Sequence, residues 1–340
     1  MNSIYGCTRE KLENYFIENG EKKFKALQAF EWLYEHKNEN VDNWSNIKKE
    51  VRDKIKKDFS FDKPKIIRRE RDTLTRKYLF ELYDNNHIEA VVMYHDYGIS
   101  LCVSSQVGCN MGCAFCESGR LKKVRNLETF EMVSQILEIE KDIEERISSV
   151  VIMGIGEPLD NYENVLDFIN IINDPKGLSL GIRHITLSTS GLVPKIYDLM
   201  EENIQINLAI SLHAPNDTIR NQIMKVNQVY NISQLIQAIK DYIAHTNRRV
   251  TIEYVMLKGI NDSEECAVEL ASLLHGMNIY VNLIPYNETN HINLYKSDAK
   301  TISHFCEVLK KNGINVTIRK EFGSKISAAC GQLRSKEVEK

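Results

Sequence analysis

Three cysteines fall within eight residues of this 340-residue chain: Cys109, Cys113 and Cys116, in the run Gln106-Val107-Gly108-Cys109-Asn110-Met111-Gly112-Cys113-Ala114-Phe115-Cys116. The spacing is C-x3-C-x2-C. Cysteine thiolates hold iron–sulfur clusters, usually four of them for a four-iron cluster. Three leave one iron with an open position, as catalytic metal sites do. An open, electron-donating iron is a place to bind and reduce a small molecule. The competing readings are a structural zinc knuckle or three buried thiols. A zinc knuckle needs an adjacent fourth ligand, which this run does not supply.

Other residues with chemical potential sit in short polar stretches: Gly154-Ile155-Gly156-Glu157-Pro158, Ser188-Thr189-Ser190-Gly191, Ser211-Leu212-His213-Ala214-Pro215 and Pro285-Tyr286-Asn287. Glycines such as Gly156 let backbone approach a ligand closely. Glu157 supplies a carboxylate for an ammonium. Ser188, Ser211 and Asn287 can bond hydroxyls or a carboxylate. Each alone reads as a turn or capping residue; their joint placement favours a shared site. Cys102 lies in the strand that feeds the cysteine loop. Cys330, in Ala328-Ala329-Cys330-Gly331-Gln332-Leu333, has Gly-rich polar surroundings that make it a reachable thiol. Cys7, Cys266 and Cys306 read as small buried hydrophobes.

These stretches need elements to position them. Residues 1–60 read as helices: Leu12, Tyr15 and Phe16, then Phe24, Leu27, Phe30, Trp32 and Leu33, then Trp44, Ile47, Val51 and Ile55 recur at helical spacing. Residues 61–97 read as a linker built from one β-hairpin, with strands at 77–83 and 88–94 around Asp84-Asn85-Asn86. From 98 to 320 strands and helices alternate. Strands are expected at 99–104, 150–153, 184–188, 205–212, 249–256 and 280–284, and helices near 128–145, 162–173, 194–202, 232–245, 264–275 and 298–311. A final strand at 315–319 precedes a tail, 321–340. The fold class is α/β: a partial (β/α)6 barrel, open because a closed barrel has eight such units, with a small helical domain in front. Active sites of such folds lie at the C-terminal ends of the strands, where the polar stretches fall.

Composition sets outer bounds. Hydrophobic residues make up 43%, charged residues 27%, and mean hydropathy is -0.34, as in an ordinary globular protein. No run of about 18 apolar residues predicts a membrane span. The start of the chain lacks a basic segment followed by an apolar core, so no secretory signal is expected. Eight cysteines without an export signal suggest metal or catalytic thiols in the reducing cytoplasm. The net charge is -3, yet residues 1–77 hold 19 Lys+Arg against 14 Asp+Glu, or +5, leaving -8 for the remainder. The runs Lys54–Lys57, Lys63–Arg69 and Arg120–Arg125 could track phosphates, although most such runs are solvated faces.

Taken together, Cys102–Cys109, the C-x3-C-x2-C loop, Met153–Leu159, Leu187–Gly191, Ser211–Asp217 and Ala328–Leu333 resemble the RlmN/Cfr family of radical S-adenosylmethionine (radical SAM) RNA methyltransferases, and RlmN more than Cfr. The resemblance spans nearly the whole chain. It implies a [4Fe-4S] cluster on Cys109, Cys113 and Cys116. It implies S-adenosylmethionine held by Gly156, Glu157, Ser188, Ser211, Leu212, His213 and Asn287, with His213 stacked on or bonded to the adenosine. It implies methylation at C2 of an adenosine in RNA, adenosine 2503 of 23S ribosomal RNA and, in some bacteria, a transfer RNA adenosine.

The implied chemistry consumes two S-adenosylmethionine molecules per turnover. One methylates Cys330. The second gives a radical that takes hydrogen from that methyl group, and the carbon radical adds to the ring. Cys102 then attacks the Cys330 sulfur and releases the product as a disulfide forms. Glu89 is the implied proton acceptor; by itself it reads as an exposed strand carboxylate. Implied partners are the RNA and an electron donor such as flavodoxin or ferredoxin, with no membrane.

The sequence departs from the family at Glu117-Ser118-Gly119-Arg120-Leu121-Lys122, where a small uncharged stretch is usual, and at Lys225, where proline is usual. Glu321-Phe322-Gly323 leans towards Cfr, which methylates C8 of the same adenosine. The alternatives are therefore C8 methylation and, from another class, a non-catalytic metal-dependent RNA-binding protein.

Overall fold

The structure, a computed structural model, describes residues 2–289, 291–320, 322–323 and 326–333. Glu321 and the last part of the expected tail, 334–340, lie outside the described residues.

The chain begins with three helices, α1 (Arg9–Glu18), α2 (Phe24–Phe30) and α3 (Lys49–Asp58). The Thr8 hydroxyl accepts from the Lys11 N–H and starts α1. α2 runs on into a wider helical turn, Glu31–Glu35, so the periodic pattern to Leu33 is helical throughout. Leu12, Phe16, Phe30, Leu33, Trp44 and Ile55 are buried, in one apolar cluster with barrel residues such as Met132 and Phe168. The helical segment is thus packed onto the barrel.

Its basic residues are partly consumed internally. Lys56 pairs with Asp42 at 2.8 Å and Asp53 at 3.1 Å, Lys63 pairs with Glu39 and Glu138, and Arg69 pairs with Asp142. Lys54, Lys57, Lys65 and Arg71 remain exposed.

Ten strands form one sheet in the order β1-β2-β3-β4-β7-β8-β9-β10-β11-β12. Strands β1 (Lys65–Asp72), β2 (Thr75–Glu81), β3 (His87–His95) and β4 (Gly98–Cys102) run antiparallel. This corrects the expected hairpin linker in 61–97: three strands, not two, continue the barrel sheet. β1 escaped the sequence because it is an edge strand of alternating burial, Lys-Ile-Ile-Arg-Arg-Glu-Arg-Asp, whose charges blunt an exposed edge. A short pair, β5 (Gln106–Val107) and β6 (Arg125–Asn126), closes the cysteine loop at its base.

From β4 onward all neighbours are parallel: β7 (Ser149–Ile152), β8 (Ile185–Thr189), β9 (Asn207–Ser211), β10 (Val250–Met256), β11 (Ile279–Pro285) and β12 (Val316–Ile318). Helices α4 (Thr129–Ile143), α5 (Tyr162–Asn173), α6 (Val193–Glu201), α7 (Asp217–Ile223), α8 (Ile232–Thr246), α9 (Glu264–Leu274) and α10 (Ala299–Lys311) connect them. The expected six strand–helix units and final strand are all present, with one further short helix, α7. Residue types place the starts: Asn216, Ser263 and Asp298 accept from the N–H three residues on, and Asn231 with Gln234 forms a capping box.

Strand alternation gives the sheet two faces. In β10, Ile252 and Tyr254 are fully buried in the main core, while Thr251 and Glu253 line a cavity inside the curl with Thr186, Asn207 and Asn282. The lumen is polar, so the barrel can hold polar groups beneath its active end.

Trp44 is fully buried in the cluster shared by helices and barrel. Trp44→Ala is expected to destabilise the protein by about 3–5 kcal/mol. Urea denaturation followed by far-UV circular dichroism measures it, and a variant within 1 kcal/mol of wild type, roughly the error of such measurements, contradicts this packing.

Candidate active site

The cysteine loop leaves β4 through Val103–Ser105 and is held from three sides. The Cys109 N–H donates to Leu121 O at 3.1 Å, the Ala114 N–H to Ile223 O at 2.9 Å, and the Glu117 N–H to Gly331 O at 2.8 Å. All three cysteines line an open cavity at the C-terminal ends of the strands. Gly154, Gly156, Glu157, Ser188, Ser211, His213, Asn287 and Cys330 line the same cavity. Sequence-distant stretches therefore converge as the barrel rule requires.

The donors suit an iron–sulfur centre. Burial pushes the Cys109 thiol up to about 12 and the Cys113 thiol well above its ordinary range, with the other two sulfurs adding to the rise at Cys113. Such thiols ionise together only around a bound cation. Among the described residues no three Cys, His, Asp or Glu side chains close on a single ion. A cluster sets its cysteines on separate irons and needs no such point.

The glycine loop is fitted to its neighbours. Gly156 has φ +114, and a Cβ there would stand 2.6 Å from Gln106 Cβ. Gln106 accepts from the Glu157 N–H at 2.9 Å and donates to Asn126 and Asp160, both at 2.9 Å. Glu157 is buried; its two oxygens accept from the Leu159 N–H at 3.1 Å and the Ser190 N–H at 2.7 Å. Burial pushes its carboxyl up and those donors pull it down. It therefore ties the loops after β7 and β8 together, with lone pairs left over for a ligand ammonium.

Arg220, on α7, is fully buried and donates to Leu212 O at 3.1 Å, Ser190 O at 2.7 Å, Ser211 O at 3.2 Å and Asn227 Oδ1 at 2.9 Å. It knits the ends of β8 and β9. Nothing in its sequence context sets it apart from an ordinary helix arginine. His213 adopts the left-handed conformation, φ 59, and its carbonyl accepts from Asn261 at 2.8 Å. The Val255 N–H donates to Nδ1 at 3.0 Å, which assigns the proton to Nε2. Burial and Arg220 push the imidazole down to about 3, so it is neutral. Its ring meets Phe115 of the cysteine loop edge-on at 4.8 Å. Leu212 corrects an expectation: its side chain is fully buried in the main core and does not line the cavity.

The tail brings in the second group. Cys102 and Cys330 line a small adjoining pocket with Val91, Met93, Met153 and Arg319. Val91, Cys102, Ala328 and Leu333 form an apolar cluster, so the tail lies on the β3–β4 platform. Gly323, at φ +66, lets the tail turn against β2; a Cβ there would stand 2.8 Å from Thr75 Cγ2. Ser118 Oγ donates to Leu333 O at 2.7 Å, Asn287 to Cys330 O at 3.4 Å, and Gln332 to Glu288 O at 3.0 Å. Cys102 is buried and its thiol is pushed up to about 12; Cys330 is exposed.

Glu89 corrects the reading of an exposed carboxylate. It is 3% exposed, pairs with Lys77 at 3.4 Å, and shares its strand face with Val91 and Met93 without lining either pocket. The unusual Glu117-Ser118 stretch is the segment that bonds the tail, and the Lys225 side chain lies against Gly112 of the cysteine loop.

A curled parallel sheet with three thiols at the mouth defines the radical SAM class, and a family model of the radical SAM superfamily matches residues 103–271. A second, for the ribosomal RNA large subunit methyltransferase N-terminal domain, matches residues 2–60. The chain is 52% identical over 99% of its length, and 97% of the relative's, to the "Probable dual-specificity RNA methyltransferase RlmN" of Enterococcus faecalis. A protein of the same name from Acholeplasma laidlawii is 51% identical, with 98% of this chain and 99% of the relative covered. A radical SAM methyltransferase from Sphaerobacter thermophilus, a crystal structure, superposes with a TM-score of 0.92 at 38% identity, covering 99% of this chain and all of the other.

The chain belongs to the RlmN family of radical SAM RNA methyltransferases. The family implies a [4Fe-4S] cluster, S-adenosylmethionine and an RNA substrate. No helix among the described residues is long and apolar enough to cross a membrane.

Gly156→Ala is expected to weaken S-adenosylmethionine binding at least about tenfold, because the new Cβ must displace Gln106 and with it the Glu157 loop. Anaerobic equilibrium dialysis of the folded, iron-loaded variant measures this; unchanged affinity contradicts it.

Proposed function

We propose that the protein methylates C2 of an adenosine in RNA by way of a methyl group carried on Cys330. The observation that supports this best is the shared pocket of Cys102 and Cys330 beside the cavity of the three loop cysteines. C2 of adenine is neither acidic nor nucleophilic, so polar methyl transfer cannot reach it.

The cluster, on Cys109, Cys113 and Cys116, and S-adenosylmethionine would supply a methyl cation equivalent and, on reduction, a hydrogen-abstracting radical. The chain's residues do the rest. Gly156, Glu157, Ser188, Ser211, His213 and Asn287 orient the sulfonium ligand, and the Leu212 carbonyl acts only through Arg220. The Cys330 thiolate takes a methyl group, becoming a thioether as the methyl–sulfonium bond breaks. That methyl then gives up a hydrogen atom and its carbon bonds C2 of the adenine. The base for the C2 proton is, by the family resemblance, Glu89, which lines neither pocket but shares its strand face with the pocket residues Val91 and Met93. The Cys102 thiolate attacks the Cys330 sulfur, so a disulfide forms and the sulfur–carbon bond to the RNA breaks; the released carbon takes up a proton to become the methyl group, and the unpaired electron left by the radical addition returns to the redox partner that supplied it.

One S-adenosylmethionine is used as methyl donor and one as radical source, two per turnover, with the electron from a flavodoxin or ferredoxin in the cytoplasm. The targets are adenosine 2503 of 23S ribosomal RNA and a transfer RNA adenosine. The relatives' "dual-specificity" names support two RNA classes. The domain at 1–60 holds RNA through exposed lysines such as Lys54 and Lys57. The barrel, 98–320, and the antiparallel strands before it present Cys330 of the tail.

Cys330→Ala is expected to abolish methylation while keeping iron and RNA binding. Cys102→Ala is expected to leave RNA covalently attached through Cys330, visible as a protein–RNA band on denaturing gels. Mass spectrometry of nucleosides should show 2-methyladenosine; 8-methyladenosine would select the Cfr-type reaction, and methylation by Cys330→Ala would defeat the proposal.

A further inference from the structure

One group of aromatic side chains has no part in the mechanism above. β3 ends at His95 and β4 starts at Gly98, the two paired across a turn of Asp96 and Tyr97. Tyr97 is 80% exposed, more than any other large hydrophobic side chain among the described residues. Its ring stacks on His95, with centroids 4.7 Å apart and planes within 10° of parallel. Phe322 of the tail meets the same imidazole edge-on at 4.8 Å. Phe322 in turn lines the pocket that holds Cys102 and Cys330. The three rings therefore run from the thiol pocket out to solvent. Tyr97 covers His95 with one face and leaves the other open.

Positive charge lies beside this stack. Lys320 lines the same pocket, stands over the Phe322 ring at 5.5 Å and has no ion pair among the described residues. Burial, then Lys320 and Arg319, push the His95 imidazole down against the pull of Asp96, so the rings themselves are uncharged. Open aromatic faces next to cations are what unpaired RNA bases stack on, since every base has a π-face and a phosphate behind it. We propose that His95, Tyr97 and Phe322 form a stacking platform that takes a nucleobase neighbouring the target adenosine, on the open face of Tyr97. The inference rests on the reading of the substrate as RNA. An apolar protein partner has no use for the cations. Packing of the tail needs Phe322 against His95 but not a ring as exposed as Tyr97. The sequence marks Phe322 only within a stretch that leans towards Cfr, because its contact with the β3–β4 turn depends on where the tail lies.

The test uses full-length, cluster-bearing protein under anaerobic conditions and a fluorescein-labelled RNA fragment carrying the target adenosine of 23S ribosomal RNA and its neighbours. Fluorescence anisotropy at one fixed salt concentration gives Kd for the intact fragment and for fragments made abasic at each neighbouring nucleotide in turn. Tyr97→Ala should weaken binding of the intact fragment about five- to tenfold, as for the loss of one stacked base. Tyr97→Trp should bind about as tightly as wild type, because it keeps an aromatic face. One abasic position should weaken wild type by a similar factor and leave Tyr97→Ala unaffected, which identifies the stacked base. Equal affinity of Tyr97→Ala and wild type for the intact fragment overturns the inference. So do losses from Tyr97→Ala that add to the abasic loss at every position, or a Tyr97→Trp variant as weak as Tyr97→Ala. Wild-type protein that binds none of the fragments overturns both this inference and the RNA reading. Failure of the methylation proposal is read separately, as wild-type protein that binds the intact fragment yet forms no methyladenosine, and it leaves these affinities unchanged.

Discussion

The return of the tail to the cysteine loop is the contact on which the rest of the site depends. Glu117 and Ser118, directly after the last loop cysteine, bond the carbonyls of Gly331 and Leu333. The second pair of residues is separated by 215 positions in the chain. Each such bond contributes only about 0.5–1.5 kcal/mol net, and ordering the tail costs about 1–2 kcal/mol per residue. Hydrogen bonds alone therefore do not seat Cys330. The apolar contact of Ala328 and Leu333 with Val91 and Cys102 supplies the remainder. This seat leaves Cys330 exposed, at the edge of both the main cavity and the pocket it shares with Cys102.

The antiparallel strands make that seat possible. A radical SAM barrel of six units leaves one edge unpaired. Here β4 continues into β3, β2 and β1 instead of ending the sheet. The face that carries Cys102 then extends through Val91 and Met93 as a floor for the tail. Lys77 and Glu89 pair at 3.4 Å on the same extension, which gives the buried carboxylate an ionic partner.

Two arginines show how one residue type serves two ends. Arg220 spends its donors on four backbone and amide oxygens and fixes the strand ends. Burial pushes it down only to about 10, so it keeps its charge near neutral pH. Arg319 is less buried; among the described residues its guanidinium pairs with Glu253 at 3.7 Å and makes no hydrogen bond to oxygen. The two arginines therefore differ in both burial and hydrogen-bond satisfaction.

Local sequence was enough for most elements, because apolar period and capping residues act within a few positions of themselves. The six strand–helix units, the helical start and the polar turns at strand ends were all legible, and so was the three-cysteine loop, whose thiols lie close in sequence. Edge strand β1 was hidden by its charges, and α7 by its shortness. The resemblance placed Leu212 at the ligand, but its side chain turns into the core, so any part it plays there falls to its backbone. Glu89 looked exposed because a single strand does not reveal which face another segment covers. The chain by itself determined which residues can react and which elements carry them. Only the tertiary structure decided that Cys102 and Cys330 line one pocket, since contacts between distant segments depend on sheet curl and tail packing, and no local period encodes those.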